Sequence, residues 1–155
     1  MFNIVLYQPE IPANTGNISR TCAVTGTALH LIKPLGFSID DKHLKRAGLD
    51  YWDLLDVYVY ENLDEFLEKN GDKRIFLITS KSSKPYDEFQ FQDGDFFVFG
   101  RETKGLPESL HEKYPDTRLR IPMKDNPHAR CLNLSNAAAI IVYEGLRQIG
   151  FPEFI

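Results

Sequence analysis

Three short runs in this chain are almost wholly apolar and are bounded by polar residues or glycine: "FNIVLY" (2–7), "IFLIT" (75–79) and "FFVFG" (96–100). Alternation would mark strands with one wet face, whereas continuous hydrophobicity marks strands covered on both faces. Between the runs the spacing predicts helices over roughly 15–25, ending at Gly26, over "DDKHLKRAG" (40–48) and over "NLDEFLEKNG" (62–71). In the last, Asn62 is placed to cap, Glu65 follows at capping-box distance and Asn70-Gly71 ends the helix. Strand and helix in alternation predict an α/β fold with a mostly parallel sheet flanked by helices. No repeat, low-complexity tract or linker divides 1–155, so a single domain is expected.

The C-terminal stretch "NLSNAAAIIVYEGLRQIG" (133–150) carries apolar residues almost all round a helical cylinder. A surface helix keeps a polar stripe, so this one predicts burial on its own sheet and against a second chain, a homodimer. A central helix in a monomer is the alternative.

Composition narrows the class. At 155 residues, 43% apolar and 12% aromatic, the chain is long enough to build a core. A net charge of −4 excludes a protein that coats nucleic acid or anionic membrane through its overall field. Any nucleic-acid contact falls to a local basic patch. "MFNIVLYQPE" lacks a basic start, and no stretch reaches the roughly 20 apolar residues that span a bilayer, so a soluble, cytoplasmic protein with no membrane contact is expected. Cys22 and Cys131 have no cysteine or histidine partner at ligand spacing, so neither a disulfide framework nor a metal is expected.

Four segments gather polar residues beside tight turns: "PANTGNISR" (12–20), "KHLKRAGLDYW" (42–52), "FGRETKGLP" (99–107) and "IPMKDNPHARCLNLSN" (121–136). Gly100 and Gly105 have P-loop spacing, but Leu106-Pro107 stands where a P-loop carries its phosphate lysine and magnesium hydroxyl, so the loop holds something other than a triphosphate. In the first segment Asn14, Thr15 and Asn17 are candidate caps, and Arg20 lies within the first two turns, able to reach the strands' carboxyl edge where α/β sheets bind ligands. In the last, Asn133, Ser135 and Asn136 crowd one helix start; a cap accounts for one of them.

"NTGNISR", "FGRETKGLP" and "IPM" followed by "LNLSNAAAIIVYEGLRQ" resemble the three motifs of the SPOUT superfamily of RNA methyltransferases. Within it the chain is similar to the minimal tRNA (cytidine(34)-2′-O)-methyltransferases, through "EIPANTGNI", "GF…DDK.LKRAGLDYW" and "DGD…FG.ET.GLP" as well, together spanning essentially the whole chain. The resemblance implies a deep C-terminal trefoil knot whose motif loops form an S-adenosylmethionine pocket, and a homodimer.

It also implies site residues. Ile78, Gly100, Ile121, Met123, Cys131 and Leu132 match the cofactor pocket, Cys131 standing where the family commonly has serine. Asn14, Arg20, Glu102, Asn133 and Ser135 match the polar residues of the three motifs, with Glu102 facing the reaction and Arg20 acting as base or as electrostatic stabiliser of the developing alkoxide. S-adenosylmethionine carries no phosphate, which accounts for glycines without a phosphate lysine. For tRNA, Lys42, His43, Lys45 and Arg46 together with Arg101, Lys104, Lys124, His128 and Arg130 form a candidate phosphate track, the alternative being solvated faces. Tyr51 and Trp52 would stack an anticodon base or pack in the core. The implied activity is 2′-O-methylation of the wobble nucleotide, cytidine or modified uridine, in an exposed anticodon loop. The same chemistry on another RNA such as ribosomal RNA, and a catalytically silent RNA-binding factor, are the alternatives.

Overall fold

The computed structural model describes residues 1–40, 42, 53–129 and 131–155. The helix expected over 40–48 falls largely outside the described residues, as do His43, Lys45, Arg46, Tyr51, Trp52 and Arg130. Strands β1 (Asn3–Tyr7), β2 (Ala28–Ile32), β3 (Val57–Tyr60), β4 (Ile75–Ile78), β5 (Phe96–Phe99) and β6 (Arg118–Leu119) form a six-stranded sheet in the order β3-β2-β1-β5-β4-β6. Every pairing is parallel. Around it lie helices α1 (Pro12–Thr25), α2 (Leu63–Asn70), α3 (Glu108–Lys113) and α4 (Leu134–Gln148).

The three apolar runs are β1, β4 and β5, and their continuous hydrophobicity has the expected cause. Ile4, Leu6, Phe97 and Phe99 point to the face that packs with Ile18 of α1 and Ile141 and Val142 of α4. Val5, Tyr7, Phe96 and Val98 point to the other, with Phe66 of α2 and Leu110 of α3. With side chains alternating across each strand, both faces must be apolar when both are covered.

β2 and β3 carry no such signal. "ALHLI" is interrupted by His30, which is 3% exposed and lies between strands that leave it no water. Its Nε2–H donates to Asn3 Oδ1 at 2.9 Å, because an amide oxygen can only accept, so Nδ1 is the bare nitrogen and accepts from Tyr60 Oη at 2.8 Å. Asn70 Nδ2 donates to the same Tyr60 oxygen at 3.1 Å, and the His30 ring stacks on Tyr58 with centroids 4.9 Å apart. Burial pushes the imidazole down to a pKa of about 4, so it is neutral at physiological pH.

Two helix starts differ in an instructive way. α2 begins as expected, with Asn62 Oδ1 accepting from Glu65 N–H at 2.8 Å. α1 begins earlier than expected, at Pro12, whose fixed φ suits a first helical position, and no side chain of its own segment caps it. Asn14, Thr15 and Asn17, the candidate caps, all lie inside the helix. α1 and α4 pack on each other. Gly145 lets α4 lie down on the sheet, since a Cβ there would stand 2.9 Å from the Phe2 ring.

Candidate active site

β1 and β5 are the two central strands, paired Leu6 with Phe99, and the loops that leave their carboxyl ends face each other across the sheet edge. The loop after β5 is a tight turn. Arg101 and Gly105 exchange backbone hydrogen bonds at 3.1 and 2.9 Å, with Gly105 in the left-handed region at φ 67°. Gly100 is required by this turn itself: a Cβ would stand 2.3 Å from the Gly105 carbonyl carbon. Its glycine is thus dictated by the loop's own backbone before any ligand is considered.

Three successive side chains of the turn reach toward the loop after β1. The Arg101 guanidinium lies 5.4 Å from the Tyr7 ring centroid and donates to Gln8 Oε1 at 3.4 Å. The Glu102 carboxylate accepts from the Glu10 N–H at 3.1 Å and the Ile11 N–H at 2.6 Å. This supplies the missing cap of α1 from a distant loop, and the negative charge suits the helix's positive end. Thr103 N–H and Oγ1–H donate to Glu10 Oε1 at 3.1 and 2.8 Å. Lys104 is exposed on the turn, and its charge flanks the Glu10 carboxylate.

With α1 capped from elsewhere, Asn14 is available for another contact. It is buried, and its Oδ1 accepts from Asn133 Nδ2 at 3.0 Å. Asn133 is the N-cap of α4; its Oδ1 accepts from Ser135 N–H at 2.9 Å and from Ser135 Oγ–H. Asn14, Asn133 and Ser135, 119 residues apart at the widest sequence step, therefore form one hydrogen-bonded chain joining the two helix starts.

Beside this chain opens a cavity of about 530 Å³. Ile78, Gly100, Ile121, Met123, Cys131 and Leu132 all line it, as do Asn14, Arg101, Glu102, Lys104 and Asn133. Apolar walls come also from Phe99, Leu106, Leu134 and Ala137. Arg20 is not among the lining residues: it lies on the exposed side of α1, in a stripe with Ala13, Asn17 and Val24. Ser135 reaches the cavity only through Asn133. Lys42 is exposed and does not line it. Lys124 lines an adjoining depression with Arg120 and Met123, two residues shared with the main cavity.

Sequence reasoning passed over Lys81, His111 and Arg120 on the wall. His111 is 3% exposed and its Nδ1 has no partner among the described residues; burial lowers its pKa, and the Lys81 and Arg118 charges lower it further against Glu108. A lone histidine in a short helix after a proline carries no spacing signal, so only the fold reveals it.

The geometry agrees with what the chain resembles. Residues 1–143 match the family model described as the SpoU rRNA Methylase family. The chain is 54% identical over 152 residues to the tRNA (cytidine(34)-2′-O)-methyltransferase of Methylovorus glucosotrophus, covering 97% of each chain. It is 49% identical over 153 residues to that of Escherichia coli, covering 98% of this chain and 96% of the relative. A solved structure concerned with the 2′-OH methylation of C/U34 on tRNA superposes with a TM-score of 0.90 at 43% identity, covering 96% of both chains. The match spans all three loops that wall the cavity, and the chain belongs to the SpoU rRNA methylase family.

Proposed function

We propose that this protein is a tRNA (cytidine(34)-2′-O)-methyltransferase, which transfers the methyl group of S-adenosylmethionine to the ribose 2′-hydroxyl of the wobble nucleotide, cytidine or a modified uridine. The observation that carries the reading is the Asn14–Asn133–Ser135 chain, two members of which, Asn14 and Asn133, line a cavity that residues of all three motifs wall. Near full-length relatives at about half identity, named for this reaction, support the substrate.

The cavity fits the cofactor chemically. Its volume is in the range of small-molecule sites, and Ile78, Leu106, Ile121 and Leu132 offer an apolar slot for an adenine. When bound, S-adenosylmethionine supplies an electrophilic methyl on a sulfonium. The chain's own residues supply position. Ser135 Oγ–H is committed to Asn133, which leaves the oxygen's lone pairs to accept from a ribose 2′-hydroxyl. Asn133 is held at both ends, so the acceptor is fixed before substrate arrives. Glu102 is occupied by two backbone N–H groups and serves to hold α1. Arg20, permanently charged, stabilises the developing alkoxide or the neighbouring phosphate, and the proton leaves through Ser135 or water.

Arg20 acts across a dimer. Val24, Tyr143, Phe151 and Phe154 are 56, 45, 39 and 38% exposed, with the Tyr143 and Phe151 rings 6.4 Å apart and those of Phe151 and Phe154 5.9 Å apart. These exposed apolar side chains on α1, on α4 and after α4 are what a second copy would cover, and Arg20 shares the exposed stripe of α1 with Val24. The trefoil knot belongs to the same reading: after edge strand β6 the chain returns to the middle of the sheet, where α4 contacts α1 and β5. Lys104 and Lys124, exposed beside the cavity, are placed to meet tRNA phosphates, with Lys42 exposed away from the cavity lining and Arg101 directed at Tyr7. Lys45, Arg46 and Arg130 complete the proposed track outside the described residues. One domain, 1–155, carries all of it, and no described helix is long and apolar enough to cross a membrane. A cytoplasmic site follows from the substrate.

The test is incubation with labelled S-adenosylmethionine and total tRNA, followed by mapping of the methylated nucleotide. Label at position 34 supports the reading; label in ribosomal RNA alone overturns the substrate, and no cofactor binding by calorimetry overturns the enzyme.

A further inference from the structure

Glu10 is part of no catalytic proposal, yet it is held from three sides. Its N–H donates to Glu102, its carboxylate accepts from Thr103, and its main chain is backed by Gly36, where a Cβ would stand 2.7 Å from the Glu10 carbonyl oxygen. Gly36 N–H donates to the Pro9 carbonyl at 2.9 Å, fixing the same turn from behind. Glu10 and Glu102 thus exchange places: each sends its carboxylate into the other's loop, Glu102 to the backbone of 10 and 11, Glu10 to the backbone and hydroxyl of 103. The loops are 92 to 93 residues apart in sequence.

We propose that Glu10 and Thr103 are positioning residues, a latch that closes the 100–106 wall of the cavity onto the start of α1 and so sets the cofactor pocket against Asn14. The inference rests on reading the cavity as the S-adenosylmethionine site. Two acidic side chains in neighbouring loops would otherwise repel. Here each has its own donors, and Arg101 and Lys104 flank Glu10 with positive charge, so its carboxyl is held below the usual range chiefly by the Thr103 hydrogen bonds. The Thr103 side chain is exposed, so removing its hydroxyl leaves no hole in the core. Its effect falls on loop position, and the fold survives. The wall it holds contributes Gly100 through Leu106 to the cavity without a gap, so a loosened latch is felt by the ligand directly.

The experiment compares Thr103→Val, Thr103→Ser and Glu10→Ala with the unsubstituted protein. S-adenosylmethionine affinity is measured by calorimetry, kcat and KM for tRNA by methylation, and amide exchange at Ile11 by hydrogen–deuterium exchange. Loss of one such hydrogen bond predicts about fivefold weaker cofactor binding in Thr103→Val, with melting temperature and KM for tRNA nearly unchanged, and recovery in Thr103→Ser. Glu10→Ala with Thr103→Val together should be no worse than the poorer single variant, as two halves of one contact. Ile11 N–H should exchange faster in Thr103→Val and recover in Thr103→Ser. Affinity within twofold of the unsubstituted protein for Thr103→Val, or equal loss in the serine variant, overturns the latch. If the unsubstituted protein binds no cofactor, the functional reading fails and the exchange rates alone decide: unchanged protection at Ile11 overturns the latch, faster exchange supports it.

Discussion

A buried neutral histidine is a liability in acid, and His30 makes the cost calculable. Its pKa is about 4 in the fold, against 6.5 for an ordinary imidazole. The unfolded chain binds a proton as pH falls through 6.5, whereas the folded chain does not until about 4. Stability from this group is therefore complete above pH 6.5 and declines between 6.5 and 4, by about 1.4 kcal/mol per pH unit at the steepest and about 3 kcal/mol in total. Urea unfolding at pH 7.0 and 4.5 should show most of this loss, and His30→Phe should flatten the pH slope whatever it does to stability at pH 7.0, where Asn3 and Tyr60 lose a partner. An unchanged slope would remove His30 as the cause. The two thiols separate by the same physics of burial. Cys22 is 1% exposed and pushed up to about 12, while Cys131 is exposed on the cavity wall. Iodoacetamide at neutral pH should modify Cys131 alone, blocking cofactor binding, and S-adenosylmethionine should slow the reaction. Peptide mapping that finds Cys22 labelled in the folded protein contradicts this assignment.

At the scale of elements, the turn after β5 tests which glycine matters. Gly105 has the left-handed backbone, and alanine there costs about 1 kcal/mol of strain with open space for the methyl. Gly100 has ordinary φ, yet a methyl would meet the Gly105 backbone at 2.3 Å, so Gly100→Ala forces the turn open. Cofactor affinity should fall more than tenfold in Gly100→Ala and about threefold in Gly105→Ala, read by calorimetry; the reverse order would mean that strain, not crowding, controls the loop. This contrast also marks what a sequence can carry. The parallel sheet was legible because β1, β4 and β5 are continuously apolar, and α2 because its cap lies within four residues. β2 was illegible because His30 breaks its pattern and finds its partners on two other strands. The start of α1 was misplaced for a similar reason: its cap is Glu102, over 90 residues away, so local cap rules pointed instead to Asn14, which serves Asn133. The cavity lining was legible through the family motifs, whereas the latch between Glu10 and Thr103 required the fold.

The whole molecule turns on Arg20. In one chain it stands on the outer stripe of α1, off the cavity, on the same side as Val24 and beside a helix whose Tyr143 is 45% exposed. The C-terminal helix is not apolar on all sides without consequence: Ala138, Ile141, Val142 and Leu146 are buried on the chain's own core, leaving Asn136, Ile140, Tyr143 and Arg147 turned outward. If a second copy covers this face, a charged substitution there, Tyr143→Asp, should turn a dimer into a monomer by analytical ultracentrifugation while keeping the fold, since the side chain is already exposed. If each site takes Asn133 from one subunit and Arg20 from its partner, the monomer should lose methylation far more than cofactor binding. Mixed dimers decide the point. Arg20→Ala and Asn133→Ala should each be inactive alone. Mixed and re-equilibrated, half of the dimers carry one copy of each, and in these one of the two sites combines an intact Asn133 with the partner's intact Arg20, so about a quarter of the unsubstituted activity should return. If Arg20 served its own chain's site, every site in every dimer would lack one residue, and the mixture would stay as inactive as its parents.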